Sequence, residues 1–508
     1  MPRFCLAYVR GRTESIMMMW RIASSEASRQ PGRDDGSCSL TYAAARMIGI
    51  LGIVISLGLL MWLAYRGINV LLIAPPLALL AVLMDGDTRV LAVYTQVFMT
   101  GLGGFLIKYF PLFLLGAIFG RLMNDSGSAD AIAHAIANRL GSRHAILAIV
   151  LATGVLTYGG VSVFVVAFAV YPVASALFRH ANVPRRLIPG ALALGAATFT
   201  MTALPGTPSI QNAIPMPYFG TDLYAAPGLG MIAGLVMLGF GMAWLSRRSR
   251  MAGGAGEGYG VAPPETSGVT PLGDRPSVMA ALTPLVIVVL VNYAFTRFVI
   301  PSMNTAYLAE PRFGSVKLDE VRGLWSLIAA LSLAIAAALI VHRGRFRDPR
   351  ASLNHGTMGS LLPVFNTASE VGYGTVIASL AGFVFIRNGM LGIAPGSPLI
   401  SEALVVNVLA GITGSASGGL SIALSAMGST FRSAGAAAGL SPELLHRVAS
   451  ISSGGLDSLP HNGAVITLLA ICQLTHRESY KDIFMVSVAG PLLALTTVLA
   501  LGMRFGSF

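Results

Sequence analysis

Two proline-containing segments interrupt long apolar stretches of this chain, and polar side chains crowd around both. The first is Leu204-Pro205-Gly206-Thr207-Pro208, and the second is Leu459-Pro460-His461-Asn462. A proline inside an apolar helix frees main-chain N–H and C=O groups, which protein, water or a ligand must satisfy. A helix that restarts after such a break directs free N–H groups and a positive dipole end into the gap, which suits a carboxylate. We therefore expect an anion-binding cavity at the two breaks, with Thr207 and Asn462 capping the helices that follow.

A glycine pair followed by a serine precedes each break. Tyr158-Gly159-Gly160-Val161-Ser162 lies upstream of the first break, and Ser417-Gly418-Gly419-Leu420-Ser421 lies upstream of the second. Corresponding interruptions in two halves of a chain are typical of transporters with inverted repeats, whose discontinuous helices form the substrate site near the bilayer midplane. Small residues also allow membrane helices to pack closely, so helix packing remains the alternative role for these segments.

The predicted substrate-binding residues are the small and polar residues of these four segments. They are Tyr158, Gly159, Gly160, Ser162, Pro205, Gly206, Thr207, Ser209, Gln211, Asn212, Ser417, Gly418, Gly419, Ser421, Pro460 and Asn462.

Four ionisable residues in apolar surroundings are candidates for carrying a proton, because such residues are costly in a membrane and usually functional. They are Asp457, His461, Glu370 and Asp125. An ion pair or a capping role for Asp457 and a buried hydrogen bond for His461 are the alternatives. Asp125 and Glu370 could equally be exposed or cap a following helix. Lys108 lies between apolar neighbours and could extend its ammonium group to the membrane surface.

Composition places the chain in a membrane. Of the 508 residues, 54% are hydrophobic and 11% are charged, against about 25% charged in an average soluble domain. Mean hydropathy is +0.72. Several apolar blocks reach the roughly 20 residues that a helix needs to cross about 30 Å of hydrocarbon. We expect an all-α polytopic protein with about 10 to 14 embedded segments, two inverted repeats, and discontinuous helices or re-entrant hairpins.

Basic clusters at the ends of apolar blocks predict the orientation. The net charge is +12, but Lys and Arg accumulate in cytoplasmic loops of membrane proteins, so this charge indicates topology and not nucleic-acid binding. The clusters are Arg179 with Arg185 and Arg186, then Arg247, Arg248 and Arg250, and finally Arg343, Arg345, Arg347 and Arg350. The loop between residues 301 and 320 is then external.

The same patterns divide the chain into four parts. Residues 1–46 are predicted to be a disordered cytoplasmic tail or to precede the true start at Met47. Residues 47–247 form the first transmembrane repeat, residues 248–277 a Gly- and Pro-rich cytoplasmic linker, and residues 278–508 the second repeat. Nothing indicates a cofactor or a metal, since no His-Glu-x-x-His pattern and no paired cysteine spacing occur.

Four ordered motifs give the chain a family resemblance across residues 47–508. They are Gly116 to Gly127, Thr157 to Val165, Ala203 to Pro208 and Ser458 to Gly463. Together they resemble the gluconate permease (GntP) family. The resemblance implies proton-coupled uptake of a small hydroxy acid, such as gluconate or D-3-hydroxybutyrate, across a bacterial inner membrane. It also implies the inverted-repeat fold of the ion-transporter superfamily, commonly as a homodimer.

Three alternatives stay open. Sodium could replace the proton as the coupled ion. A channel is disfavoured because the breaks are paired within one chain instead of repeated around a ring of subunits. A membrane-embedded enzyme is disfavoured because no Gly-x-Ser-x-Gly or His-Glu-x-x-His arrangement is present.

Overall fold

The structure, a computed structural model, describes residues 36–66, 68–161, 163–260, 275–393, 396–460 and 462–508. Within these ranges the chain forms helices and no strand. This confirms the predicted all-α class.

The helices up to the linker include both long and short segments. In order they are α1 (Gly36–Tyr65), α2 (Val70–Met84), α3 (Val90–Asp125), α4 (Ser128–Leu140), α5 (Ala145–Tyr158), α6 (Val163–His180), α7 (Ile188–Ala196), α8 (Phe199–Thr202), α9 (Ile210–Ala213), α10 (Met216–Phe219) and α11 (Pro227–Gly254).

The helices after the linker also include both long and short segments. They are α12 (Val278–Ser302), α13 (Leu318–Val341), α14 (Pro349–Ser379), α15 (Ala381–Ile393), α16 (Pro398–Thr413), α17 (Ala416–Ala437), α18 (Pro442–Ser453), α19 (Gly463–Ile471) and α20 (His476–Phe505).

Among the described residues, α3, α11, α12, α13 and α20 are each long and apolar enough to cross a membrane. Helices α4 and α5 together satisfy the same criterion but are bent by 106° at the turn between them. Several shorter apolar helices, including α2 and α16, accompany them. The chain is therefore polytopic, with at least one broken helix pair.

Capping residues explain where several of these helices begin. Asp348 accepts hydrogen bonds from the main-chain N–H groups of Arg350 and Ala351 at the start of α14. Ser441 accepts from the N–H of Leu444 at the start of α18. A proline follows each of these caps at the first helical position, where its missing N–H costs nothing.

Helices α3 and α14 pack along each other and join the two parts of the chain. Ser352 at the start of α14 donates a hydrogen bond of 2.7 Å to Asp125 at the end of α3. Near the other end of α14, the Tyr373 hydroxyl lies 2.9 Å from that of Ser56 in α1. Helix α14 thus connects the two outer helices α1 and α2 to the central core.

Two boundaries differ from the sequence prediction. Helix α1 begins at Gly36, so residues 36–46 are helical and not part of a disordered tail; residues 1–35 lie outside the described ranges. Helix α11 continues to Gly254, past the predicted linker start at residue 248. The chain beyond it also packs, since Tyr259 hydrogen-bonds Ser175 at 2.7 Å. Residues 261–274 of the linker lie outside the described ranges.

Candidate functional site

Helices α5 and α6 form a hairpin whose tip lies against the first break. The Tyr158 hydroxyl, at the end of α5, donates a hydrogen bond of 2.9 Å to the Pro205 carbonyl. Gly160 has a φ of +96°, a conformation that L side chains rarely adopt, and a β-carbon there would lie 3.2 Å from Pro208. Gly159 packs against Leu285 of α12. Ser162, also predicted to bind substrate, lies outside the described residues.

The first break separates α8 from the short helix α9. Ser209, and not Thr207, is the N-cap of α9, accepting a hydrogen bond of 3.4 Å from the Asn212 N–H. The prediction for Thr207 is wrong because the helix restarts two residues later than expected, after the extended residue Ser209. The Thr207 hydroxyl is instead buried without a hydrogen-bond partner among the described residues. Gly206 lies directly under the Tyr224 ring, and Gln211 is partly exposed.

Asn212 joins the first break to α18 of the second half. Its amide nitrogen donates to the carbonyls of Thr207 at 3.1 Å and Leu223 at 3.0 Å. Its oxygen must therefore accept, from Arg447 Nη1 at 3.2 Å and from His446 Nε2 at 3.1 Å. His446 then carries its hydrogen on Nε2, so that its Nδ1 accepts from the Thr221 hydroxyl at 2.6 Å.

Arg447 is fully buried and is held mainly by main-chain carbonyls. Its Nε and Nη2 donate to the Ala225 carbonyl at 3.0 and 2.6 Å, and Nη2 also approaches the Leu223 carbonyl at 3.4 Å. A buried cation is tolerated only when it is hydrogen-bonded in this way. The segment after α10 and helix α18 are therefore fixed to each other.

Helices α16 and α17 form a second hairpin, but its tip is not the predicted glycine pair. The tip is Gly414 with Ser415, where Gly414 adopts the left-handed conformation and Ser415 caps α17 by accepting from the Gly418 N–H at 3.0 Å. The glycine pair lies within the first turns of α17. A β-carbon at Gly419 would overlap the main chain of Ala410 in α16, so Gly419 permits the close crossing of the two hairpin helices.

The two serines of the second segment lie on α17. Ser417 is partly exposed. Ser421 is buried, and its hydroxyl has no partner in the part of the chain that the structure describes.

The second break contacts the second hairpin through Asn462. Its side-chain oxygen accepts from the Val465 N–H at 2.9 Å, which confirms the predicted cap of α19. Its amide nitrogen donates to the Gly414 carbonyl at the hairpin tip and to the Asp457 carbonyl, both at 2.9 Å. Asp457 is buried and accepts from the Ser458 hydroxyl at 3.0 Å. Pro460 is exposed, and His461 lies outside the described residues.

Glu370 of α14 lies beside the same hairpin. Its carboxyl group is buried and lies so close to Gly418 that a β-carbon there would overlap it. One oxygen, Oε2, has no hydrogen-bond partner among the described residues. Glu370 and Asn462 therefore both contact this hairpin near its tip.

The remaining ionisable candidates lie away from the tips. Asp125 pairs with Arg121 at 2.8 Å and accepts from Ser352, which places it in the contact between the ends of α3 and α14. The exposed ammonium of Lys108 lies 5.4 Å from the centre of the Tyr218 ring.

The two breaks begin beside each other. The Ser450 hydroxyl of α18 donates a hydrogen bond of 2.9 Å to the carbonyl of Thr202, the last residue of α8. A β-carbon at Gly454, where the second break starts, would lie 3.0 Å from the Thr202 side chain. The starts of the two breaks are thus adjacent, and a hairpin tip contacts each break.

Sequence reasoning missed three buried ionisable residues near this region: His446, Arg447 and Glu402. Glu402 lies in α16, fully buried, and neither carboxylate oxygen has a partner within the described residues. The sequence did not predict that α18 is embedded, because polar residues are mixed with apolar residues along its whole length. A useful indication was the sequence Ser441-Pro442 followed by apolar residues at helical spacing, which predicts a capped, half-buried helix.

Basic clusters that were expected to be cytoplasmic come together in the structure. Asp482 at the start of α20 is buried and pairs with Arg186 at 3.1 Å and Arg248 at 3.0 Å. It also accepts from the Trp244 indole N–H at 2.9 Å, and Arg186 pairs with Glu257 at 2.6 Å. The beginnings of α7 and α20 and the end of α11 are therefore in contact.

A polytopic helical protein with paired hairpins and helix breaks has the architecture of a membrane transporter. Comparison with known proteins identifies the family. The GntP family permease model matches residues 46–321, and the chain is 46% identical to the uncharacterized transporter YxjC of Bacillus subtilis over 449 residues, 86% of this chain and 95% of that protein. This chain belongs to the GntP permease family, and it is a transporter and not an enzyme.

Two solved structures share the fold. The YdaH transporter of Alcanivorax borkumensis superposes with a TM-score of 0.53 at 17% identity, over 83% of this chain and 90% of that one. The antimetabolite efflux pump MtrF of Neisseria gonorrhoeae gives a TM-score of 0.51 at 12% identity, over 82% and 85%. The YdaH transporter has an unusual topology, and the present chain shares its fold.

Proposed function

We propose that this chain is a proton symporter that imports a small hydroxy-carboxylate, such as 3-hydroxybutyrate or gluconate, across the bacterial inner membrane. One observation carries the proton part of the proposal. The buried Glu370 carboxyl group lies against the tip of the second hairpin with one oxygen unpartnered within the described residues.

A charged carboxylate in this position would be expensive. Burying an ionised group costs several kcal/mol or more unless it is paired, and Glu370 Oε2 has no partner among the described residues. Glu370 is therefore protonated while the hairpin tip covers it. Movement of the tip would admit water and release the proton, which links occupancy of the site to proton transfer. Asp457, buried in the second break, is the second candidate for this role.

The substrate would bind where the breaks meet the hairpin tips. Three buried hydroxyl groups there lack partners among the described residues, those of Thr157, Thr207 and Ser421. Each can donate to a carboxylate or accept from a substrate hydroxyl. Buried polar groups are normally satisfied, so a bound hydroxy acid would supply what the protein leaves open.

The order of elements supports an inverted repeat as part of this proposal. Hairpin α5–α6 is followed by α7, α8 and the first break, and hairpin α16–α17 is followed by α18 and the second break. Two hairpins entering from opposite sides would give each side of the membrane its own gate.

Uptake by proteoliposomes that contain the purified protein tests the proposal. Labelled 3-hydroxybutyrate and gluconate are offered under an imposed proton gradient, an imposed sodium gradient, or neither. Accumulation of one substrate that a protonophore abolishes supports the proposal. Accumulation that follows sodium and ignores pH would replace the proton by sodium, and no accumulation of either acid under any gradient would refute the substrate class. Cross-linking in the same membranes would test the homodimer that the family resemblance implies.

A further inference from the structure

A cavity of about 210 Å³ opens on the side of the molecule that carries the predicted external loop. The segment after α10 forms one wall, α12 and α13 form the opposite wall, and the start of α18 and the end of the chain close it. Its charged lining residues are Asp222, Arg297, Arg322 and Glu443.

Both arginines line the cavity, Arg322 partly buried and Arg297 exposed. Arg322 Nε is buried without a hydrogen-bond partner in the described part of the chain. The nearest acidic oxygens to Arg322, on Asp222 and Asp319, lie 3.7 and 3.8 Å from its guanidinium nitrogens, too far for hydrogen bonds. Arg297 makes a ring contact instead, with its guanidinium carbon 5.9 Å from the centre of the Tyr224 ring.

Two guanidinium groups facing one small cavity match a carboxylate. Each presents a planar fork of N–H donors that can bind both oxygens of a carboxylate at once. Asp222 accepts from the Tyr224 N–H through Oδ1 at 2.8 Å and forms an ion pair with Arg322 through Oδ2 at 3.7 Å. This ion pair leaves the N–H donors of Arg322 available, because 3.7 Å is too long for a hydrogen bond. Glu443 is exposed. Repulsion by Asp222 and Glu443 would limit the affinity of the cavity for an anion. A site on a transport path needs such a limit, because it must release its ligand.

Tyr224 separates this cavity from the first break. Its ring lines the cavity on one side and lies directly on Gly206 on the other. Its hydroxyl accepts from the Asn292 side chain at 3.4 Å, and its ring packs edge-on against Tyr293 with centroids 5.6 Å apart. Rotation of this one side chain would join the cavity to the break.

We propose that this cavity is an external binding station for the substrate carboxylate, with Arg297 and Arg322 as its ligands and Tyr224 as the gate to the first break. This rests on the proposed function, because it assumes that the transported solute is a carboxylate. The station would collect the anion before the gate opens, so it should set the apparent affinity for external substrate and not the maximal rate.

The experiment measures KM and Vmax for uptake of the labelled acid by right-side-out membrane vesicles. Arg322→Gln and Arg297→Gln should each raise KM about tenfold, the expected loss from removing a charge-assisted hydrogen bond, and leave Vmax within about twofold. Arg322→Lys should recover part of the affinity, because it keeps the charge and loses the fork. Arg312→Gln is the matched control, since Arg312 is exposed on the same loop face and pairs with Glu310.

Two results would overturn the station. One is an unchanged KM in both Gln variants, and the other is a KM effect that disappears in proteoliposomes made only of zwitterionic lipid, which would assign the arginines to anionic lipid headgroups. If the Arg322→Gln protein does not reach the membrane, the KM of the Arg297→Gln variant decides the test alone. Failure of the proposed function is distinguishable, because the unmodified protein would then accumulate no carboxylate at all.

Discussion

Replacing Glu370 by Gln separates proton coupling from substrate binding. The two side chains have nearly the same size, so the contact with Gly418 can be kept. Because the Glu370 carboxyl group is neutral in the proposed state, a neutral amide should fit there. We expect the free energy of unfolding to change by less than about 1 kcal/mol, within the usual range for a shape-conserving change.

The functional change should be large by comparison. With one proton per substrate, a pH difference of one unit corresponds to 1.36 kcal/mol and supports about tenfold accumulation. A variant that cannot release a proton at this position should equilibrate its substrate to a ratio of about one, whatever pH difference is imposed. Exchange of internal for external substrate needs no net proton movement, so it should continue.

Proteoliposomes loaded with unlabelled substrate measure both quantities in one preparation. Glu310→Gln serves as the matched control, because Glu310 is on the predicted external loop and pairs only with Arg312 among the described residues. Normal proton-driven accumulation by the Gln variant would remove Glu370 from the coupling role. Loss of exchange together with accumulation, in a folded protein, would make Glu370 a substrate ligand.

Three further predictions concern stability, each measured by thermal unfolding of the purified protein. Gly419→Val should destabilise it by about 3 kcal/mol or more, because the side chain would overlap the Ala410 main chain, whereas Gly116→Ala should be neutral, since the space there is open. Arg447→Leu should cost about 3 to 5 kcal/mol by leaving buried carbonyls unpaired; an unchanged Tm would show that water replaces the guanidinium. Asp482→Asn should cost about 2 kcal/mol, because Arg248 and Arg186 lose a buried carboxylate partner and Arg186 keeps only Glu257; an unchanged Tm would show that these ion pairs do not stabilise the fold.

The helix breaks could be predicted from sequence because their cause is local. A proline removes an N–H and glycine permits a left-handed turn wherever they occur, so the breaks at Pro205 and Pro460 follow from residue type. The Asn462 cap follows in the same way. The position of the second hairpin tip does not follow from residue type. Several small residues lie in this part of the sequence, and only tertiary packing selects Gly414 for the turn.

The embedded helix α18 could not be predicted from hydropathy. Its polar residues look like those of a surface helix, and yet His446, Arg447 and Ser450 are buried by partners from the first half, about 225 to 250 positions away in sequence. The linker shows the opposite error. Its glycines predicted an unfolded segment from residue 248, but tertiary contacts by Glu257 and Tyr259 hold part of it.

Hydrogen-bond satisfaction distinguishes the fixed framework from the part of the site that must move. Asn212 and Arg447 have several partners each and join the two halves where the breaks begin. Among the described residues, by contrast, one side-chain hydrogen bond joins each hairpin tip to its break, made by Tyr158 in the first case and by Asn462 in the second. Unpartnered groups such as Glu370 Oε2 occur beside a tip. Separating a tip from its break would break one hydrogen bond, whereas separating the two breaks from each other would break several. We therefore infer that the hairpins are the elements that move during alternating access.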